Sequence, residues 1–316
     1  MSATYATSYP QVLEAARRLR GVVHRTPVMT CEAIDRRANC RLFFKCENLQ
    51  KVGAFKYRGA SHALLTMEDA DADRGVVTHS SGNHAQALAL AGVRREIPTT
   101  IVMPTTAPAV KRAAVAEYGA TIVDCEPTLE ARETTAAEIV GRTGATFVHP
   151  YDNERVIEGQ GTATLELLEE VEDLDTVVIP VGGGGLLAGG CLVCHGGERT
   201  IRVLAAEPAG ADDAARSFQA GERLLQTDPN TIADGLLTSL GERNWPIIRD
   251  HVEQVVTVSD DEIVAAMRLL WERAKLVVEP SGAVPLAAVL KGTWPPGSRV
   301  GVILSGGNVD LTQLPW

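Results

Sequence analysis

The sequence predicts an α/β fold built on mostly parallel sheets. Short apolar runs alternate along the whole chain with Ala/Glu/Arg-rich stretches, and several of these runs end in Gly, Ser or Pro. The second feature gathers loops at the C-terminal ends of strands, where α/β folds place their ligands. In chain order, the strand-like runs are residues 41–45, 75–78, 99–103, 121–123, 176–180, 201–205 and 300–304. Between them, residues 107–118 and 128–142 have helical composition. No repeat, low-complexity tract or long linker breaks the alternation, so any division into domains is compact.

Bulk properties narrow the class further. A chain of 316 residues that is 45% apolar can bury a sizeable core, as one large domain or two intimate ones. A formal net charge of −10 argues against a nucleic-acid or anionic-membrane surface as the main partner. No apolar run reaches membrane-spanning length, and the first residues lack a charged-then-apolar signal pattern, so the chain reads as cytosolic. Six cysteines in a chain this long do not suggest a disulfide framework, and Cys191-x-x-Cys194 lacks the second pair that a zinc site needs.

Five segments carry chemistry. Lys56 is one of only six lysines and stands among small and aromatic residues, with Gly53 and Gly59 on its flanks. That setting can dehydrate an amine, lower its pKa and make it nucleophilic toward an aldehyde. Ser80-Ser81-Gly82-Asn83-His84 follows an apolar strand and opens an Ala-rich helix, a natural seat for a carboxylate or phosphate. Gly182-Gly183-Gly184-Gly185 leaves the backbone bare between a strand and a helix, so that successive N–H groups converge on phosphate oxygens. Ser305-Gly306-Gly307-Asn308 ends another strand. Finally, the acidic stretch from Glu207 to Asp213 offers oxygen ligands for a hard divalent cation. A rival reading exists. Gly183 to Ala188 satisfies the dinucleotide pattern G-x-G-x-x-A, with Glu207 about 20 residues on, which points to an NAD-dependent dehydrogenase. That reading leaves Lys56, the Ser80–His84 loop and the Ser305 loop unexplained.

Together these segments resemble the fold-type II pyridoxal-phosphate (PLP) enzymes, and specifically the serine racemase and serine/threonine dehydratase family, over about residues 13–311. Lys45-Cys46-Glu47-Asn48, Val102-Met103-Pro104, Glu158-Gly159-Gln160-Gly161-Thr162, Thr231-Ile232-Ala233-Asp234-Gly235 and Trp245-Pro246 extend the likeness. It implies a two-domain, tryptophan synthase β-like architecture with the cofactor in the cleft. Residues 1–65 plus 148–316 would form the large domain, and 66–147 a small mobile domain that closes over substrate.

The resemblance also implies roles. Lys56 would bind PLP as a Schiff base and act as base on the substrate Cα proton. Phe55 would pack on the ring, Asn83 would bond its 3′-oxygen, Gly182, Gly183, Gly184 and Gly185 would cradle the phosphate, and Ser305 would face the pyridine nitrogen. Ser81 would stand on the opposite face as second acid/base. Ser80, Gly82 and His84 would hold the substrate carboxylate, with Arg132 and Ser239 as further substrate contacts. Glu207, the Ala211 carbonyl and Asp213 match a site for Mg²⁺ (or Ca²⁺ or Mn²⁺), and Gln86, Tyr118 and Lys275 match one for ATP as effector. The expected activity is serine racemisation with β-elimination to pyruvate and ammonia, in a homodimer. The alternative is a serine/threonine or 3-hydroxyaspartate dehydratase with little racemisation. Tyr151, where mammalian serine racemases carry an asparagine, is closer to the dehydratase pattern, and the Arg132 guanidinium suits a second substrate carboxylate.

Overall fold

A computed structural model describes residues 5–107 and 109–316. In the larger of two sheets, six strands run in the order β1 (Val28–Met29), β2 (Arg41–Cys46), β10 (Arg299–Leu304), β7 (Thr176–Pro180), β8 (Arg202–Pro208) and β9 (Gln254–Val258). All pairings are parallel except that of the short edge strand β1 with β2. The smaller sheet is parallel throughout, in the order β5 (Thr121–Cys125), β4 (Thr99–Pro104), β3 (Val76–His79), β6 (Thr146–Phe147).

Burial explains why the central strands are continuous apolar runs. β7 is buried at every position, because helices cover both faces of a parallel sheet. Its two sides feed two apolar clusters, one holding Val177 and Ile179, the other Val178. The helices before the small sheet and on it are α1 (Tyr9–Leu19), α2 (Glu32–Ala38), α3 (Lys56–Leu65), α4 (Asp69–Arg74), α5 (Asn83–Arg94), α6 (Ala109–Glu117) and α7 (Leu129–Thr143). The rest follow as α8 (Glu154–Glu170), α9 (Gly185–Gly196), α10 (Asp213–Ala220), α11 (Asn244–His251), α12 (Asp260–Leu269) and α13 (Pro280–Lys291).

Local chemistry sets several boundaries. The Asn153 side chain accepts from the Arg155 and Val156 N–H groups to start α8. Ser259 and Glu262 form a capping box on α12. α8 and α9 cross with backbones nearly touching: a Cβ on Gly161 would stand 2.9 Å from the Gly189 carbonyl oxygen. That close crossing presents the start of α9, and the glycine loop before it, to the start of α3.

All seven expected strands are present, most of them one or two residues longer than read. The two-residue β1 and β6, and the partly buried edge strand β9, were not anticipated. Glu207 lies within β8 rather than in a loop after it. Cys191 and Cys194 are buried free thiols, raised by burial, in keeping with the sequence reading. No helix among the described residues is long and apolar enough to cross a membrane.

Candidate active site

The loops after β3, β7 and β10 meet the start of α3. Ala54 bridges Gly306, the Phe55 N–H donates to the Ser305 carbonyl at 3.0 Å, and the Gly307 N–H donates to the Gly53 carbonyl at 2.9 Å. Residues 53–55 are thereby zipped to 305–307, and the helix they lead into starts at Lys56. Its amine donates to the Pro150 carbonyl at 2.9 Å and stands 5.1 Å from the Phe55 ring centre and 5.9 Å from that of Tyr151. With no carboxylate beside it, burial pushes the amine down to about 8.

The turn at 149–152 that supplies Pro150 is held by His149. Its Nδ1 accepts from the Tyr151 and Asp152 N–H groups at 3.3 and 2.9 Å, and burial lowers the ring to about 4, so it is neutral with its proton on Nε2. Tyr151 packs on the glycine loop: a Cβ on Gly183 would stand 2.2–2.4 Å from three of its ring carbons, so only glycine fits there. Burial raises the Tyr151 phenol to about 12 and keeps it protonated. Gly184 has φ +89, the left-handed region open to glycine. The Gly183 carbonyl accepts from Asn244 Nδ2 at 2.6 Å and the Gly241 N–H at 3.0 Å. With that carbonyl engaged by α11 and the turn before it, the loop and the first turn of α9 keep their N–H groups for an anion.

On the other side, Asn83 opens α5. Its Nδ2 donates to Glu279 Oε1 at 2.8 Å, and its Oδ1 accepts from Asn308 Nδ2 at 2.8 Å. Glu279 Oε2 also accepts from the Asn308 N–H at 3.0 Å. Burial, reinforced by Asp234, lifts the Glu279 carboxyl to about 8. The Gly82 N–H donates to Ser80 Oγ at 3.3 Å, and a Cβ on Gly82 would meet nothing, so the Ser80–Ser81–Gly82 turn borders open space. His84 contacts the Val148 carbonyl at 3.3 Å, and burial, with Lys56 nearby, holds it neutral. Arg132 lies on α7 with its Nε buried and without a hydrogen-bond partner among the described residues; its charge is felt at His79. Ser239 is turned to its own loop, where its Oγ accepts from the Gln226 N–H at 2.9 Å.

The acidic residues form a second locus. Glu207 accepts from the Ala214 and Ala215 N–H groups, and Asp213 Oδ2 from the Leu240 N–H, while Asp213 Oδ1 has no partner among the described residues. Burial raises Glu207 to about 8 and Asp213 to about 6. Among the described residues no cluster of three His, Cys, Asp or Glu side chains is placed for a metal. Gln86 is buried on α5, Tyr118 follows α6, and Lys275 is exposed with its ammonium on the Glu272 carbonyl; no hydrogen bond joins the three.

Sequence reasoning passed over Glu279, Asn244 and His149. Glu279-Pro280 at a helix start is a readable signal, since Pro is favoured in the first turn, but nothing local marks the glutamate as buried.

Comparison with known proteins agrees with this geometry. A family model described as "Pyridoxal-phosphate dependent enzyme" matches residues 19–306. The chain is 49% identical over 313 residues to the β-hydroxyaspartate dehydratase of Paracoccus denitrificans (strain Pd 1222), covering 99% of each chain. It is 48% identical over 308 residues to the serine racemase of Dictyostelium discoideum, covering 96% of this chain and 95% of that one. The solved structure of maize serine racemase superposes with a TM-score of 0.95 at 47% identity, over 98% of this chain and 95% of that one. These likenesses leave no place for the dinucleotide reading of the glycine loop.

Proposed function

The chain belongs to the pyridoxal-phosphate dependent enzymes, and on that premise we propose that it is a serine racemase that also carries out β-elimination. The observation that carries the reading is the Lys56 amine, lowered to about 8 by burial and set between two aromatic rings beside a bare glycine loop. The residues present fit the cofactor. An amine reactive toward an aldehyde lies next to a cradle of backbone donors, whose path leaves no room for a side chain at Gly183, against Tyr151, or at Gly185, against Tyr151 and Gln160. When bound, PLP supplies an aldehyde for covalent attachment of amines and a conjugated ring that draws electrons away from the substrate Cα.

The remaining work falls to the chain. Gly182 to Gly185 and the first turn of α9 would anchor the phosphate, Phe55 would pack against the ring, and Asn83, held by Glu279 and Asn308, would bond the 3′-oxygen. Ser305 offers a neutral hydroxyl that would sit by the ring nitrogen and would not favour its protonation, which would suit elimination more than transamination. The Ser80–Ser81–Gly82 turn, through the Ser81 N–H, and the start of α5 at His84 would receive the substrate carboxylate. Lys56 removes the Cα proton on one face. Ser81 returns a proton on the other face, or assists departure of the β-hydroxyl. Two acid/base groups on opposite faces are what racemisation needs. Glu207, Asp213 and the Ala211 carbonyl would hold a divalent cation; the unpartnered Asp213 Oδ1 and the two carboxyls raised by burial support this. Residues 66–147 form a small domain that closes on substrate, the molecule works as a homodimer in the cytosol, and Gln86, Tyr118 and Lys275 take a nucleotide effector.

A second reading, 3-hydroxyaspartate dehydratase with little racemisation, is favoured by the buried, unpartnered Nε of Arg132, which suits a second carboxylate, and by the 49% identical relative. The two readings are separated by supplying PLP and Mg²⁺ with L-serine, then with each 3-hydroxyaspartate isomer, and measuring D-serine, pyruvate and oxaloacetate. Substantial D-serine supports the racemase. Oxaloacetate formed at least 10²-fold faster than any serine product replaces that reading with the dehydratase, and turnover of neither substrate defeats both.

A further inference from the structure

Gln160, in the middle of α8, is fully buried, and neither its Oε1 nor its Nε2 has a hydrogen-bond partner among the described residues. A buried amide left unsatisfied at both ends is costly, and a near-isosteric apolar side chain would avoid the cost. The position of that amide is informative. Its Oε1 lies 2.8 Å from the point where a Cβ on Gly185 would stand, and the Tyr151 carbonyl oxygen lies 2.9 Å from the same point. Its Cγ is 3.0 Å from where a Cβ on Gly59 would be, one turn into the helix that begins at Lys56. The side chain therefore threads between α3 and α9 and ends beside the first residue of α9. Glycine at 59 and 185 leaves it the room. No partner fixes which end of the amide carries the N–H groups, so Nε2 is free to turn toward the glycine loop.

We propose that the Gln160 amide is a further ligand of the cofactor's phosphate, donating an N–H from beside the glycine loop to a phosphate oxygen. This rests on the reading of that loop as the phosphate cradle. It explains why a doubly unsatisfied amide is kept at the junction of the lysine helix and the loop: its partner arrives with the cofactor. A phosphate oxygen accepts such a bond strongly because it is charged.

The test compares PLP with pyridoxal, which lacks the phosphate, on apoprotein of the wild type, Gln160→Met and Gln160→Glu, with binding followed by visible absorbance and by melting temperature. Gln160→Met is expected to raise the Kd for PLP about tenfold, the loss of one charge-assisted hydrogen bond, and to leave that for pyridoxal within about twofold. Gln160→Glu, close to the same shape, should weaken PLP further by repelling the phosphate, and it carries the test should the methionine variant not fold. Apo Gln160→Met should melt no lower than apo wild type, while gaining less from PLP. If PLP and pyridoxal weaken in parallel, or the preference for PLP is unchanged, Gln160 is a packing residue and the proposal fails. A wild type that binds neither compound would instead overturn the cofactor reading itself.

Discussion

Burial alone brings the Lys56 amine to about 8, well below an ordinary lysine, and the direction of the resulting pH dependence follows. The neutral amine is the nucleophile, so the reactive fraction of apoprotein is on the order of a tenth at pH 7 and nine-tenths at pH 9. Cofactor uptake by the apoprotein should therefore accelerate about tenfold between pH 7 and pH 9 and then level off. An uptake rate that still climbs steeply above pH 9, followed by visible absorbance, would mean that the amine is solvated. The glycines and aromatic residues around Lys56 in the string singled it out, and its expected role came from the family resemblance. Its partner was not legible: the Pro150 carbonyl is 94 residues away, and the turn presenting it depends on a neutral His149 ring. Glu279 was hidden for a similar reason, since its burial is created by contacts with Asn83 and Asn308 from two other loops.

At the next scale, α3 is fixed by a buried ionic lattice. Arg58, two residues beyond Lys56, bonds both oxygens of Glu47 at 2.7 and 2.8 Å and both oxygens of Glu166 at 2.7 and 2.8 Å, and Lys45 donates to Glu166 at 2.6 Å. Burial alone would raise the Glu47 carboxyl, but the Arg58 guanidinium outweighs it and holds the carboxyl below its usual value. With a depressed folded-state value, this contribution is present above the ordinary carboxylate range and is lost as pH falls through the folded value. Arg58→Met leaves the fully buried Glu47 with only the Thr26 hydroxyl and the Lys45 charge to balance it, so it should cost about 3–5 kcal/mol in denaturant unfolding of the apoprotein. A loss below ~1 kcal/mol would show that water reaches the lattice.

Glu207 and Asp213, which join β8 to α10, work with the opposite sign. Their folded-state values of about 8 and about 6 are raised, so the native state holds extra protons and the apoprotein loses stability as pH climbs from about 4 to about 8. A bound cation needs both carboxylates ionised. Mg²⁺ or Ca²⁺ should thus raise the melting temperature by a few degrees at pH 8 and less at pH 6, with EDTA reversing the gain and Asp213→Asn abolishing it. An equal shift at both pH values would place the cation elsewhere. The main elements were legible because parallel strands buried on both faces are unbroken apolar runs. β1, β6 and β9 were not, since two-residue strands have no period and the edge strand β9 is only partly buried.

For the whole molecule, the strands fall into two separate sheets, and α3 packs toward both. Tyr57, Ala60, Ala63 and Leu64 of α3 share an apolar cluster with α5 and β4 of the small-sheet side, while Gly59 packs on α8. The helix that carries Lys56 at its start is therefore held from both sides, and the proposed closure of the small-sheet side would have to pivot beside it. Lys111 on α6 reaches across to Asp234, next to Gly235, which packs over Gly182 of the glycine loop. This ion pair ties the small-sheet side to the cradle. With half of the Asp234 side chain exposed it contributes about 0.2–1 kcal/mol, too little to hold the fold but enough to bias closure. If substrate binds best to the closed form, Lys111→Met should raise KM about two- to fivefold, because the free energy of closure is drawn from binding. The melting temperature should move by no more than about 2 °C. Adding salt should raise the wild-type KM toward that of the variant, since a part-exposed pair is screened, and should leave the variant's KM nearly unchanged. An unaltered KM in Lys111→Met at low salt would mean that the two units close without this tie.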